Sequence, residues 1–238
     1  MGRREKRNIK LAIIDNSINS EIYNPLEHWS LFLNADWTSY KATKGHFPRI
    51  KDGYTHLLLT GSEASILERE NWVYEEIEVV QQAIEKGLSV LGSCYGHQLL
   101  ALALAGSAHI KRSEKPEIGW IAIDIKETNN ILGQKRRAYS FSIHFDKVVN
   151  LKEPFVILAS SEHCQIQAFQ LSEKPVWGIQ IHPEIDVSSA RKLLRTLIDQ
   201  DLKNKAHFEK ALESKQKDSK LIYPILETFL NPRRNLKN

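Results

Sequence analysis

Cys94 lies between two glycines at a point where an apolar run gives way to a second apolar segment. Residues 88–91 are apolar apart from Ser89, and Gly92-Ser93-Cys94-Tyr95-Gly96-His97-Gln98 follows them directly. A short strand, a tight turn and a helix in this order form a nucleophile elbow, in which small neighbours let the backbone fold closely around the nucleophile. Unpaired N–H groups at the start of a helix favour the thiolate form of a cysteine. The segment therefore predicts a nucleophilic cysteine.

A histidine and a carboxylate that could serve this thiol occur later in the chain. The apolar segment 176–181 ends on His182, and Glu184 follows two residues further on. Histidine can accept the thiol proton, and a carboxylate can fix the tautomer of the imidazole and stabilise its charged form. Pro183 restricts the backbone on both sides, which favours a fixed orientation of its neighbours. Since open α/β sheets place their sites at strand ends, we expect Cys94, His182 and Glu184 to form a catalytic triad.

Together the two motifs resemble those of the class I glutamine amidotransferases, a family marked by a G-x-C-x-G-x-Q elbow and a late H-P-E. The resemblance extends from about residue 10 to residue 202, and it is greatest to stand-alone members related to the glutaminase domain of GMP synthase. Further matching segments are residues 57–62, 117–120, 142–146 and 165–169.

The resemblance implies a chemistry for the triad. Cys94 would attack the side-chain amide carbonyl of glutamine or of another γ-glutamyl compound and form a γ-glutamyl thioester. His182, oriented by Glu184, would give a proton to the departing ammonia and then activate water. The family's oxyanion hole consists of backbone N–H groups, which by position would belong to Gly61 and Tyr95.

The resemblance also implies where the substrate is held. Gln98 matches the glutamine-binding side chain of the family, and Ser142, Ile143, His144 and Phe145 match the segment that holds the amino-acid end of the substrate. We expect neither a cofactor nor a metal ion, because the chain has no CxxC or HxxxH ligand pair. A buried small side chain is the expected role of the other cysteine, Cys164.

The chain departs from the family in two respects. Where the family often has two or more glycines this chain has Gly61-Ser62-Glu63, so we expect Glu63 to make the rim of the site more acidic. No phosphate-cradling P-loop is present to activate an acceptor of ammonia. Three hypotheses remain open: a glutaminase that supplies ammonia to a separate synthetase partner, a free-standing γ-glutamyl hydrolase, and a non-catalytic binding module with the same fold.

Composition excludes several other classes of protein. The 238 residues are 42% hydrophobic and 26% charged, and the net charge is +4, which is typical of a globular protein. No basic face interleaved with aromatic residues indicates nucleic-acid binding, and no apolar run is long enough to span a membrane. Two cysteines and the lack of a secretory signal favour the cytoplasm.

Hydrophobic periodicity predicts an α/β fold of the flavodoxin-like kind. We expect an open, mostly parallel sheet covered by helices on both faces, extended by antiparallel strands in the middle of the chain and followed by a C-terminal helical appendage. The predicted units are a flexible basic tail over residues 1–8, the amidotransferase-like domain over residues 9–202 and the helical extension over residues 203–238. The extension could pack back on the domain or form a homodimer contact.

Overall fold

Strands and helices alternate along residues 9–232, which are the residues that the structure, a computed structural model, describes. The predicted tail over residues 1–8 lies outside them. The strands are β1 (Lys10–Asp15), β2 (Asp36–Lys41), β3 (His56–Leu59), β4 (Ser89–Ser93), β5 (Ile110–Ile125), β6 (Arg136–Val148), β7 (Phe155–Ser160), β8 (Ala168–Leu171) and β9 (Val176–Ile179). The helices are α1 (Pro25–Ser30), α2 (Trp72–Glu85), α3 (Tyr95–Ala105), α4 (Val187–Gln200), α5 (Lys205–Glu213) and α6 (Ile222–Leu230), with short 3-10 turns at Ala42–Lys44, Ile50–Asp52 and Ser107–His109.

The strands form a single sheet in the order β2-β1-β3-β4-β9-β8-β7-β5-β6. The first five of these are parallel to one another, and β8, β7, β5 and β6 continue the sheet with antiparallel pairings. The predicted fold class, a parallel sheet with an antiparallel extension, is confirmed. β4 and β9, which precede Cys94 and His182, are neighbours with Gly92 opposite Gly178. The sheet therefore brings the two predicted catalytic segments side by side.

Helices cover both faces of the sheet because the strands are apolar on both sides. In β1, Ala12 and Ile14 pack into the cluster that holds α2 and α3, whereas Leu11 and Ile13 pack into the opposite cluster with Trp29 of α1. None of the helices described within residues 9–232 combines the length and the apolar character needed to cross a membrane.

The C-terminal helices α5 and α6 pack back on the sheet. Phe208 of α5 is buried with Trp120 and Leu194 in a third cluster. Phe229 of α6 is fully buried, and its backbone carbonyl accepts a hydrogen bond of 2.7 Å from Ser89 Oγ of β4. The C-terminal extension is thus part of the same hydrophobic cores as the strands that carry the elbow.

Two parts of the sheet go beyond what the sequence predicts. β2 is a mostly exposed edge strand, and because it lacks an apolar alternation the sequence gives no signal for it. β5 and β6 are 16 and 13 residues long and form a long antiparallel pair, whereas the sequence predicts only that antiparallel strands extend the sheet.

Removing the Phe229 side chain tests whether α6 is needed for stability. Phe229→Ala should lower the free energy of unfolding by about 3–5 kcal/mol, because it leaves a cavity in a core cluster. Glu227→Ala on the same helix is the control, since Glu227 is exposed and its loss should change the free energy by less than about 0.5 kcal/mol. Urea unfolding measures both. Equal effects of the two substitutions would show that α6 does not belong to the core.

Candidate active site

Cys94 stands at a strained turn between β4 and α3. Its backbone has φ 49° and ψ −103°, a conformation with positive φ that few side chains adopt, and its N–H donates to the Ile179 carbonyl at 2.8 Å. A Cβ atom on Gly92 would collide with the Gly96 carbonyl, and one on Gly96 would collide with the Leu59 carbonyl. The two glycines are therefore required for the close approach of β3, β4 and α3 that creates the elbow.

His182 and Glu184 follow β9 and form a buried pair. His182 Nδ1 lies 2.8 Å from Glu184 Oε1, and the two residues are 3% and 1% exposed. Burial of the imidazole opposes its protonation, but the negative charges of Cys94 and Glu184 outweigh this effect and raise the pKa of His182 to about 10. Cys94 and His182 line the same cavity. The geometry therefore places the three residues of the predicted triad together.

Tyr23 is a member of this site that the sequence analysis missed. Its hydroxyl donates to Glu184 Oε1 at 3.2 Å, and its ring meets the His182 ring edge-on at a centroid distance of 5.7 Å. Burial and the neighbouring Glu184 carboxylate raise the pKa of Tyr23 well above its usual value, so the phenol keeps its proton. Tyr23 lies in the loop between β1 and α1, where the sequence carries no motif that could have identified it.

Gly61 lies directly against the triad. A Cβ atom on this residue would come within 2.7 Å of His182 Cε1 and 2.9 Å of the Tyr23 hydroxyl, so the position has no room for a side chain. Tyr95 is the first residue of α3 and follows Cys94 directly. The use of the Gly61 and Tyr95 N–H groups as an oxyanion hole stays a prediction.

Glu63 anchors the loop after Gly61 to the loop after β1. Its two carboxylate oxygens accept hydrogen bonds from the backbone N–H groups of Ile18 at 2.8 Å and Asn19 at 3.0 Å. The same pair of loops is joined again where Asn16 N–H donates to Thr60 Oγ1 at 2.9 Å. Glu63, which stands where the resemblance leads one to expect a glycine, therefore links the loop after β3 to the loop after β1.

A cavity of about 360 Å³ opens above Cys94. Of the predicted substrate-binding residues, those that line it are Gln98, Ile143, His144 and Phe145. Ser142 is not among the lining residues, and its hydroxyl is buried without a partner among the described residues. Within the wall, the Gln98 amide donates to the Asp146 carbonyl at 2.8 Å and to Gln180 Oε1 at 3.2 Å.

Charged and apolar residues that the sequence did not identify also line this cavity. Arg112 Nε lies 3.2 Å from Asp146 Oδ1, and Ser65 Oγ donates to Asp146 Oδ2 at 2.5 Å. Leu197 of α4 and Phe208 of α5 form an apolar wall. Arg112 and Phe208 are far from both motifs in the sequence, and only the folded sheet brings them to the cavity.

A separate set of metal-ligand types lies behind the cavity wall. Among the described residues, Glu117, His144 and Cys164 are the one group of three such side chains with ligand atoms within 4.8 Å of one another. Cys164 is buried, as expected, and burial raises the pKa of its thiol to about 12. His97, next to the elbow, packs against Phe169 at a ring distance of 4.9 Å and does not line the cavity.

Comparison with known proteins identifies the family. Residues 12–199 match the family model of the class-I glutamine amidotransferases, and the chain therefore belongs to this family. The class of enzyme that the two motifs predict is confirmed.

Relatives and solved structures are consistent with this assignment. The chain is 32% identical over 136 residues to a glutamine-hydrolysing GMP synthase subunit from Thermoplasma volcanium, and the match covers 57% of this chain and 65% of the relative. It is 36% identical over 109 residues to the corresponding subunit from Pyrococcus abyssi, covering 45% of this chain and 57% of the relative. The chain thus spans less than two thirds of each of these relatives. A glutamine amidotransferase from Thermotoga maritima has the same fold, with a TM-score of 0.77, 22% identity and coverage of 94% and 99% of the two chains.

Replacement of the Glu184 carboxylate should lower the pKa of His182. In Glu184→Gln the imidazolium loses one of the two negative charges that stabilise it, so the pKa should fall from about 10 by roughly one to three units. Nitrogen NMR of histidine-labelled protein over a pH series measures this. Glu27→Gln on the exposed side of α1 is the control and should leave the titration unchanged. An unaltered His182 titration in Glu184→Gln would exclude Glu184 as the partner of the imidazole.

Loss of the Glu63 carboxylate should loosen the loop after β1. In Glu63→Ala the amides of Ile18 and Asn19 lose their acceptor and should exchange with deuterium at least about tenfold faster, since the link contributes about 1.5–3 kcal/mol. Glu63→Gln keeps one acceptor oxygen and should give an intermediate rate. Amide exchange followed by NMR measures this. Unchanged rates at both amides would show that Glu63 does not hold the loop.

Proposed function

We propose that the chain hydrolyses the side-chain amide of glutamine, or a similar γ-glutamyl amide, and releases ammonia. The observation that carries this proposal is the convergence of Cys94 and His182 on one cavity, with Glu184 hydrogen-bonded to the imidazole at 2.8 Å. Membership of the class-I glutamine amidotransferase family supports the same reaction.

In the proposed reaction, the Cys94 thiolate attacks the amide carbon and forms a tetrahedral intermediate with a charged oxygen. Backbone N–H groups of Gly61 and Tyr95 would stabilise this oxygen, and each such donor contributes about 3–4 kcal/mol to lowering the barrier. The imidazolium of His182 gives its proton to the nitrogen as ammonia leaves. Water, deprotonated by His182, then cleaves the thioester and restores the thiolate. Tyr23 and Glu184 keep the imidazole in position throughout.

The amino-acid end of the substrate would lie against Gln98 and the segment from Ile143 to Phe145. Support comes from the position of these residues on the cavity wall next to Cys94. The Cys94 Sγ donates a long hydrogen bond of 3.6 Å to the Ile143 carbonyl. Ser142 would act by supporting this segment from within the core, since it lies behind the wall.

We further propose that the ammonia serves an acceptor on a separate synthetase protein. Support comes from the relatives, which are subunits of glutamine-hydrolysing GMP synthases. A free-standing γ-glutamyl hydrolase is the second candidate, and the Glu63 link favours it because a loop anchored within the chain needs no partner to hold it. The complete set of Cys94, His182 and Glu184 argues against a non-catalytic binding module.

Ammonia and glutamate release by the purified chain tests these assignments, with glutamine and with a γ-glutamyl dipeptide as substrates. Cys94→Ala and His182→Asn should each lower turnover on the order of 10³-fold or more, because each removes an essential member of the triad. His109→Asn, in the turn before β5 and away from the cavity, is the matched histidine control and should retain activity.

The two leading candidates give different results in this assay. Fast turnover of the dipeptide by the chain alone would indicate the hydrolase, whereas slow turnover of both substrates with Cys94 still readily alkylated would indicate a glutaminase that needs a partner. Undiminished turnover in Cys94→Ala would refute the mechanism.

A further inference from the structure

Three potential metal ligands from separate parts of the sheet meet behind the wall of the active-site cavity. Glu117 lies on β5, His144 on β6 and Cys164 in the loop between β7 and β8. All three are buried, with exposed fractions of 6%, 3% and 1%, and their ligand atoms lie within 4.8 Å of one another. Because metal–ligand distances for such atoms are about 2.0–2.3 Å, small side-chain movements would let one ion reach all three.

His144 is oriented as metal-binding histidines usually are. Its Nδ1 lies 3.0 Å from the Asp146 carbonyl, which can only accept a hydrogen bond, so this nitrogen carries a proton. The other nitrogen, Nε2, forms a hydrogen bond of 3.1 Å with Glu117 Oε2, which also accepts. An ion at this point would take the place of the proton between Nε2 and the carboxylate, so that both atoms become ligands. A backbone carbonyl that fixes the tautomer of a ligating histidine in this way is a common outer-shell partner in metal sites.

Gln167 provides a further polar group to the cluster. Its amide nitrogen donates to Glu117 Oε2 at 2.6 Å and to Ser161 Oγ at 3.1 Å. Its carbonyl oxygen, on a side chain with no exposed surface, has no partner among the described residues. Buried polar atoms normally have a partner, and a rotation of the amide that turned this oxygen toward the cluster would supply a fourth ligand.

We propose that Glu117, His144 and Cys164 bind a divalent cation that accepts sulfur, nitrogen and oxygen ligands, with Zn²⁺ as the best match. Zinc sites use this combination of ligand types with four positions in total, of which Gln167 or water would supply the last. A doubly charged ion would also balance one thiolate and one carboxylate with a neutral histidine, which leaves no net charge in a buried region. The proposal concerns a site separate from Cys94 and does not depend on the proposed function.

The ion would have a route to this site. A groove of about 790 Å³ reaches the cluster, and its wall includes Glu117, Ser161 and His163. His144 also lines the active-site cavity, so an ion on its Nε2 would fix the β6 segment that carries Ile143 and Phe145. Metal occupancy would thereby stiffen the wall opposite the nucleophile.

Zinc binding to tag-free protein in the Cys94→Ala background tests the proposal, because that background removes the other thiol of the chain. Titration against a chromophoric zinc chelator should show one bound equivalent. Cys164→Ser and Glu117→Gln, each added to the background, should weaken binding by at least about tenfold. His163→Asn is the matched control, since His163 lines the groove but is not in the cluster, and should bind zinc as the background protein does.

Cobalt substitution gives a second measurement that reports on the thiol directly. Co²⁺ bound to the background protein should show a thiolate-to-metal charge-transfer band in the near ultraviolet, and Cys164→Ser should abolish it. Circular dichroism checks that each variant folds, and Glu117→Gln decides the question if Cys164→Ser does not. No zinc binding to the background protein, or binding that survives Glu117→Gln unchanged, would overturn the proposal.

Discussion

The strained backbone of Cys94 is the constraint on which the rest of the site depends. A non-glycine residue at φ 49° costs on the order of 1–3 kcal/mol, and it persists only where the surrounding structure leaves no alternative. Here β4, which precedes the turn, lies between the parallel strands β3 and β9, and α3, which follows the turn, packs against β3. Neither Gly92 nor Gly96 can take a side chain without a collision with backbone atoms. The strained turn thus places the Cys94 thiol at the end of β4. His182 lies at the end of the adjacent strand β9, close to this thiol.

A second constraint is electrostatic. His182 and Glu184 are almost fully buried, so water does little to weaken the attraction between their charges. The same burial would be costly for Glu184 without donors, and it receives one from the His182 ring and one from the Tyr23 hydroxyl. Tyr23 stays protonated because its own burial and the same carboxylate oppose ionisation. The loop after β1 therefore belongs to the candidate active site, and Glu63 connects it to the loop that carries Gly61.

The sequence predicted those parts of the site that local patterns determine. The elbow and the end of β9 depend on neighbouring residues, since a glycine-flanked cysteine after an apolar strand and a histidine before a proline restrict the backbone directly. Tyr23, Arg112 and Phe208 depend on tertiary packing, and no spacing in the chain relates them to Cys94. β2 escaped prediction because an exposed edge strand such as this has no apolar alternation. Ser142 is the opposite case: the sequence predicts that it contacts the substrate, but it does not line the cavity. A matching segment does not reveal which of its side chains faces the cavity.

The residues that line the cavity come from two parts of the chain. Cys94, His182 and Gln98 lie at strand ends and in the first turn of α3, within the region that matches the family model. Phe208 of α5 lines the same cavity but lies beyond residue 199, where that match ends. The cluster that holds Trp120 of β5 and Leu194 of α4 also holds Phe208. Because Phe208 is not part of the predicted triad, substitutions in α5 can alter what fits into the cavity while the triad stays in place. Differences in ligand selection are therefore best sought in the C-terminal helices, whereas the position of the Cys94 thiol depends on the elbow.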